Sequence, residues 1–121
     1  MISTGWILMA NIYKNAFFAG TTTNAVTVYT APANGRGIVQ NIQVTSSGGN
    51  KIVQAKIYDS SNSNTSNLVA YASITGPTIC NIAKGPIILE ENDALTLETN
   101  TTTNIKAVCS ILEISREDQN G

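Results

Sequence analysis

Glu90, Glu91 and Asp93 form the one carboxylate cluster of the chain, in the stretch "ILEENDALT". Paired-acid glycoside chemistry needs two carboxylates facing each other across a cleft, usually from separate segments. Three acids at near-successive positions of one turn are expected to point into solvent instead. Adding Asp59 gives enough oxygen ligands for calcium, but the spacing is unlike an EF-hand loop. The 121 residues include no histidine. Imidazole acid–base catalysis, histidine-anchored triads and most zinc sites are therefore excluded. Serine and threonine are abundant, yet none has a base beside it to activate the hydroxyl. Lys84, before Gly85-Pro86, reads as a turn residue. The expectation is a protein that is no enzyme and uses no cofactor or metal.

Recognition chemistry is the next possibility. Tyr58 and Tyr71 flank the polar stretch "SSNSNTSN" (60–67). Exposed aromatics stack on sugar rings, so Tyr58, Asn62, Asn64 and Tyr71 are candidate contacts to a partner or a host surface glycan. Half-buried packing is the plainer role for a strand tyrosine. Net charge is −1, charged residues are 12% of the chain, and the lysines and arginines are scattered singly. Phosphate binding needs clustered cations, so nucleic acid is not an expected partner. Cys80 and Cys109 sit in apolar contexts, as two buried thiols or as a disulfide between neighbouring strands. The two Asn-x-Ser/Thr patterns, at Asn64 and Asn100, arise by chance in so Asn/Thr-rich a chain.

Short strands with polar turns must position these residues. "AVTVYTA" (25–31), "IVQNIQVTS" (38–46), "KIVQAKIYD" (51–59) and "ALTLET" (94–99) alternate with a period of two. "NIYKNAFF" (11–18) opens the series. "NIKAVCSILEIS" (104–115) closes it, apolar on both parities near its end. That pattern predicts a central strand covered on both sides, by a second sheet and by a neighbouring subunit. The two strands around "SGGN" (47–50) read as a hairpin, and 60–67 as a projecting, mobile loop. The tetrad "TTTN" occurs at 21–24 and 101–104, each time in a polar gap before a strand. Its flanks do not match, so it is corner chemistry rather than a repeat. About eight short strands and no helical periodicity predict an all-β chain, an antiparallel, jelly-roll-like β-sandwich over 11–115. Residues 1–10 read as an N-terminal extension or docking arm with Trp6, Ile7 and Leu8 as its contacts, and 116–121 as a charged tail. The apolar run near the start is too short to span a bilayer and lacks a cationic leader, so neither membrane nor export is expected.

Several of these stretches resemble small virion structural proteins of tailed bacteriophages, especially those of marine bacteria. The matching pieces are Tyr13–Asn15, the turn at Tyr29–Ala33, the strand Ile38–Val44, a "Leu-x-x-x-Asp-x-Leu" hairpin at Leu89–Leu95, and Ser110–Ile114. The first eight residues, the 60–67 loop and both cysteines depart from the pattern. The resemblance implies a β-sandwich that oligomerises on a particle, as a decoration, cement, neck or tail component, without catalysis. Its partners would be itself, with a trimer favoured, and the major capsid or other virion proteins. Its location would be the virion, assembled in the host bacterial cytoplasm. The alternative is a carbohydrate-binding module of a tail or adsorption appendage.

Overall fold

A computed structural model describes residues 7–101 and 105–118, and it is all β apart from one turn of 3-10 helix. In chain order the strands are β1 (Ile7–Ala19), β2 (Val26–Thr30), β3 (Gly35–Ser46), β4 (Asn50–Asp59), β5 (Thr65–Thr75), β6 (Thr78–Asn81), β7 (Ile87–Leu89), β8 (Ala94–Thr99) and β9 (Ile105–Asp118). The front sheet runs β1-β9-β3-β6, with β7 beside β6 along the same edge of β3, and the back sheet runs β2-β8-β4-β5. Every pairing is antiparallel. The chain is one antiparallel ribbon wrapped on itself. β1 lies on β9, β2 on β8, β3 on β6 and β7, and β4 on β5. Pairing of β9 with β3 and of β8 with β4 then closes two four-position sheets. This is the jelly-roll form of the sandwich, its sixth strand broken into β6 and β7 by Ile82–Pro86.

The period of two explains which side chains meet between the sheets. Val39, Ile42 and Val44 of β3, and Cys109 and Ile111 of β9, face Val53 of β4 and Leu95 and Leu97 of β8, all almost wholly removed from water. Most are β-branched or Leu, which suit a pleated, covered surface. β9 is central in its sheet, and its register with β1 runs unbroken from Ala19↔Lys106 to Ile7↔Asp118.

Three expectations need correction. The turn at 47–49 is no hairpin: β3 belongs to the front sheet and β4 to the back sheet. A hairpin would set Val44 and Val53 side by side in one sheet, whereas the crossing sets both toward the core. Gly49, at φ 82°, supplies the left-handed residue at this corner, and the buried Lys51 ammonium donates to the Gly48 carbonyl. Likewise Leu89 and Leu95 do not share a hairpin, because β7 pairs with β3 while β8 pairs with β2 and β4. The hairpin that does form is β4–β5, with its turn at Ser60–Asn64 and β5 starting already at Thr65. The strands are also longer than expected, with β1, β3, β4, β5 and β9 each of ten residues or more.

β1 begins at Ile7 and β9 ends at Asp118, so both take in residues read from sequence as extension and tail. Trp6 lies outside the described residues. The first "TTTN" spans the front-to-back crossing between β1 and β2. The second begins at Thr101 on the return from β8 to β9, its other residues lying outside the described ones. The two crossings are neighbours, since the Gly20 amide donates to the Ile105 carbonyl at 3.0 Å.

Close backbone approach makes one glycine indispensable. A Cβ at Gly35 would overlap the Ile114 carbonyl and come within 2.8 Å of the Ser115 Cα, both main-chain atoms that cannot swing aside. Gly85 has nothing within 4 Å of the same position. Gly35→Ala is therefore expected to lower unfolding free energy by about 3 kcal/mol. Gly85→Ala should stay within about 0.5 kcal/mol of the wild type. Urea titration of the two variants checks the contrast.

Candidate functional site

The carboxylates separate as soon as their surroundings are seen. Asp93 is buried, contrary to the expectation of a solvent-facing acid. Its Oδ1 accepts from the Ser60 amide at 3.0 Å and the Ser60 hydroxyl at 3.2 Å, and its Oδ2 from the Glu90 amide at 3.0 Å. The Asp93 carbonyl accepts from the Ala31 amide, and the Asn92 amide donates to the Ala31 carbonyl. Three turns, at 31–34, 60–64 and 90–93, are thus knotted at one end of the sandwich. Glu90 and Glu91 stay exposed. Asp59 is occupied as a cap, accepting from the Ser61 amide and hydroxyl. Among the described residues no group of three or more Cys, Asp or Glu is placed to hold a metal ion.

That knot also holds the stretch expected to project and move. Beyond the Asp93 and Asp59 contacts, the Ser60 hydroxyl donates to the Glu91 carbonyl and the Thr65 hydroxyl to the Asn62 carbonyl. Asn62 lies in the 3-10 turn and Asn64 is left-handed at φ 57°. Tyr58 pairs across from Ser66 and Tyr71 from Gln54. Four strand residues separate the tyrosines, roughly 13 Å at 3.3 Å per residue. Both are exposed, Tyr71 by 52%, but they do not converge into one clamp with the two asparagines.

One feature of the surface was not singled out from the sequence. On the outer side of the front sheet, Tyr13 of β1 pairs with Leu112 of β9, Leu112 with Ile38 of β3, and Ile38 with Ile88 of β7. The result is an unbroken apolar row across all four strand positions. Tyr13 is 77% exposed. A second row joins Phe17, 74% exposed, to Val108 and Gln43, and a third joins Lys106 to Thr45 and Ile79. Between the rows sit the uncharged Asn15, Ser110 and Asn41. A shallow hollow of about 730 Å³ lies at the lower margin, against Thr45, Pro77, Ile79 and Lys106. The signal available in sequence was the double-sided apolar pattern of 105–115. The pairing that lines it up with Tyr13 and Ile88 is long-range.

One polar contact ties the sheets from inside. The Tyr29 hydroxyl of β2 donates to Glu113 Oε2 of β9 at 2.7 Å, and Lys14 of β1 forms an ion pair with the same carboxylate at 3.1 Å. Gly37 leaves room for the Tyr29 ring, which lies where a Cβ would otherwise be. Burial pushes the Glu113 carboxyl up, but the hydrogen bonds from Tyr29 and Lys14 and the charge of Lys14 outweigh it and hold the group below its ordinary value. Burial first, then Glu113 as partner and charge, pushes the Tyr29 phenol well above its ordinary value. The disulfide alternative fails: Cys80 on β6 and Cys109 on β9 are free thiols on opposite sides of β3. Burial raises the Cys109 thiol to about 11, so it stays protonated and unreactive near neutrality.

No protein-family model matches the chain, and no curated protein matches it in sequence. Solved structures do. A chain in the acid-stable capsid structure of Helicobacter pylori bacteriophage KHP30 aligns with a TM-score of 0.58 at 14% identity, over 96% of this chain and 100% of its own. A chain of the T13 IBDV viral particle aligns with a TM-score of 0.57 at 11% identity, over 96% of this chain and 32% of its own. This chain spans about a third of that protein. What is shared is the fold. At these identities it is a fold found in virus particles, with no specific tie to tailed phages of marine bacteria.

Two variants test the polar contacts. Asp93→Ala strands the Ser60 and Glu90 amides and is expected to cost about 2–4 kcal/mol, read by chemical denaturation. Glu113 titrates lower in the folded chain than its ordinary 4.5. Its contribution to stability is thus complete above about 4.5 and disappears as pH falls through the lower folded value. The stability gap between wild type and Glu113→Gln should be constant from neutrality down to that point and shrink below it.

Proposed function

We propose that the chain is a bacteriophage virion structural protein, a homo-oligomeric capsid decoration or cement subunit that stabilises a particle through protein–protein contacts and catalyses nothing. The observation that carries this reading is the outer face of the front sheet, with its apolar row Tyr13–Leu112–Ile38–Ile88 and the exposed Phe17 beside it. A monomer has no use for such a surface, whereas a protein interface is enriched in aromatic and aliphatic side chains at its centre and depleted in charge. The size is suitable. Four strand positions about 4.8 Å apart and about 12 residues long give roughly 750 Å², close to the ~800 Å² per partner of a standard interface. The likeness in fold to chains of two virus particles supports the same reading. So does a surface of Thr, Ser and Asn that presents little charge to desolvate. In this account the partners are further copies, closed as a trimer, and the major capsid or other virion proteins. The chain resides in the virion after assembly in the host cytoplasm.

The alternative, a carbohydrate-binding module of an adsorption appendage, has the exposure of Tyr71 in its favour. Its tyrosines are too far apart for one sugar ring, so a ligand bridging both would be an oligosaccharide. Binding on a glycan array, lost in Tyr71→Ala, would favour it over the structural reading.

Tyr13→Glu with Phe17→Glu tests the main proposal. Both side chains are exposed, so the double variant is expected to fold and melt within a few degrees of wild type. Its incorporation into particles, quantified by mass spectrometry of purified virions, should fall by about tenfold or more. Full incorporation of the variant, or absence of the wild type from virions, overturns the proposal.

A further inference from the structure

The two open sheets leave four edges, and they are not equally protected. Edge strands are template surfaces for further pairing, and proteins blunt them with inward charges, prolines, bulges or short length. β1 carries Lys14 on the face turned to the back sheet, where it meets Glu113. The opposite front edge is made of β6, four residues, and β7, three residues, parted by a segment with Lys84 and Pro86. β2 has five residues, a register shift between Thr27 and Tyr29, and Pro32 soon after its end. β5 differs from all three. It has eleven residues, "TSNLVAYASIT", without a charge, a proline or a glycine, and it ends the back sheet. Its one irregularity, between Ala55/Ala70 and Lys56/Leu68, sets off the upper part, where the Asn67 side chain already donates to the Thr65 carbonyl. Below it, Ala70–Thr75 is a regular, exposed edge whose alternate backbone groups face away from β4.

We infer that β5 is a dimerisation edge: a second copy of this chain pairs its own Tyr71–Thr75 antiparallel to the first, about a two-fold axis. The occupant follows from the inventory. Every other edge of a neighbouring copy is short, broken or carries an inward charge, which leaves β5 as the matching strand. Because β5 has no charge, self-pairing sets no like charges across the axis. Pairing centred on Ser73 places Tyr71 of each copy across from Thr75 of the other and joins two four-stranded back sheets into one of eight. Edge pairing then stops, since an isologous contact consumes both copies' free edge and the remaining edges are guarded. A ladder of five residues with Tyr71 at its margin is a small interface, of the weak class below about 1,200 Å². Repetition on a shell would strengthen it by avidity. The inference stands apart from the virion proposal, which rests on the other sheet.

Ser73→Lys places two ammonium groups opposite each other on the axis, and Thr27→Lys places the same charge on β2, the far edge of the same sheet. Both positions are exposed. Sedimentation equilibrium of the full chain between about 1 and about 100 µM spans the range of such contacts. The wild type is expected to reach an even number of copies, Ser73→Lys to halve that mass with an unchanged β spectrum by circular dichroism, and Thr27→Lys to match the wild type. Hydrogen exchange of the wild type needs no variant: amides within 70–75 should slow as concentration rises. A wild type that stays monomeric, a Ser73→Lys mass equal to wild type, or exchange at 70–75 independent of concentration overturns the inference. None of these bears on particle incorporation, which tests the virion reading separately; a monomeric wild type would contradict only the trimer of that reading.

Discussion

Ile105, Ala107, Cys109 and Ile111 of β9 point into the core, while Val108 and Leu112 of the same strand point outward between β1 and β3. A strand apolar on both faces needs cover on both. The back sheet supplies it on one side, and the lateral neighbours Phe17, Tyr13 and Ile38 supply only part of it on the other. The rest of the molecule is arranged around that asymmetry. β1 and β3 are held in long register against β9, and the back sheet closes the inner face. The outer face is left with an apolar row across its middle and its charges, Arg36 and Lys106, toward its two ends.

Polar contacts in this fold serve placement more than chemistry. The buried Asp93 carboxylate accepts from three donors and fixes three turns against each other. Glu113, with Tyr29 and Lys14, joins both sheets. Asp93 and Glu113 are buried, and removing the groups that pair with either would leave a carboxylate largely out of reach of water. The acids that a functional reading would pick first, on proximity in sequence, part company: Asp93 holds turns together inside while Glu90 and Glu91 face solvent.

The fold class was legible because the period of two is local. Val26, Val28, Ile42, Val44, Val53, Ala55, Leu95 and Leu97 announce strands whatever their partners. Partnership was not legible. "SGGN" is equally compatible with a hairpin and with a sheet-to-sheet corner, and the choice is made by Val44 and Val53 needing opposite walls of one core. The same holds for Leu89 and Leu95. "SSNSNTSN" looked unanchored because its anchor, Asp93, lies some thirty residues away and acts through backbone amides that composition does not reveal. The interaction face was half visible, in the apolar outer positions of 105–115. Its other members, Tyr13, Ile38 and Ile88, join it only through long-range pairing. Tyr58 and Tyr71, neighbours of one loop in sequence, are separated by the β4–β5 register.

The central claim is that the outer face of the front sheet is the surface with which the protein works. Hydroxyl-radical footprinting reads it directly, because Tyr13 and Phe17 are both exposed and oxidise readily in the free chain. Compared between free protein and purified particles, labelling at these two residues is predicted to drop sharply on the particle while that of Tyr71 on the back sheet falls less. Equal labelling of Tyr13 and Phe17 in the two states would contradict the account.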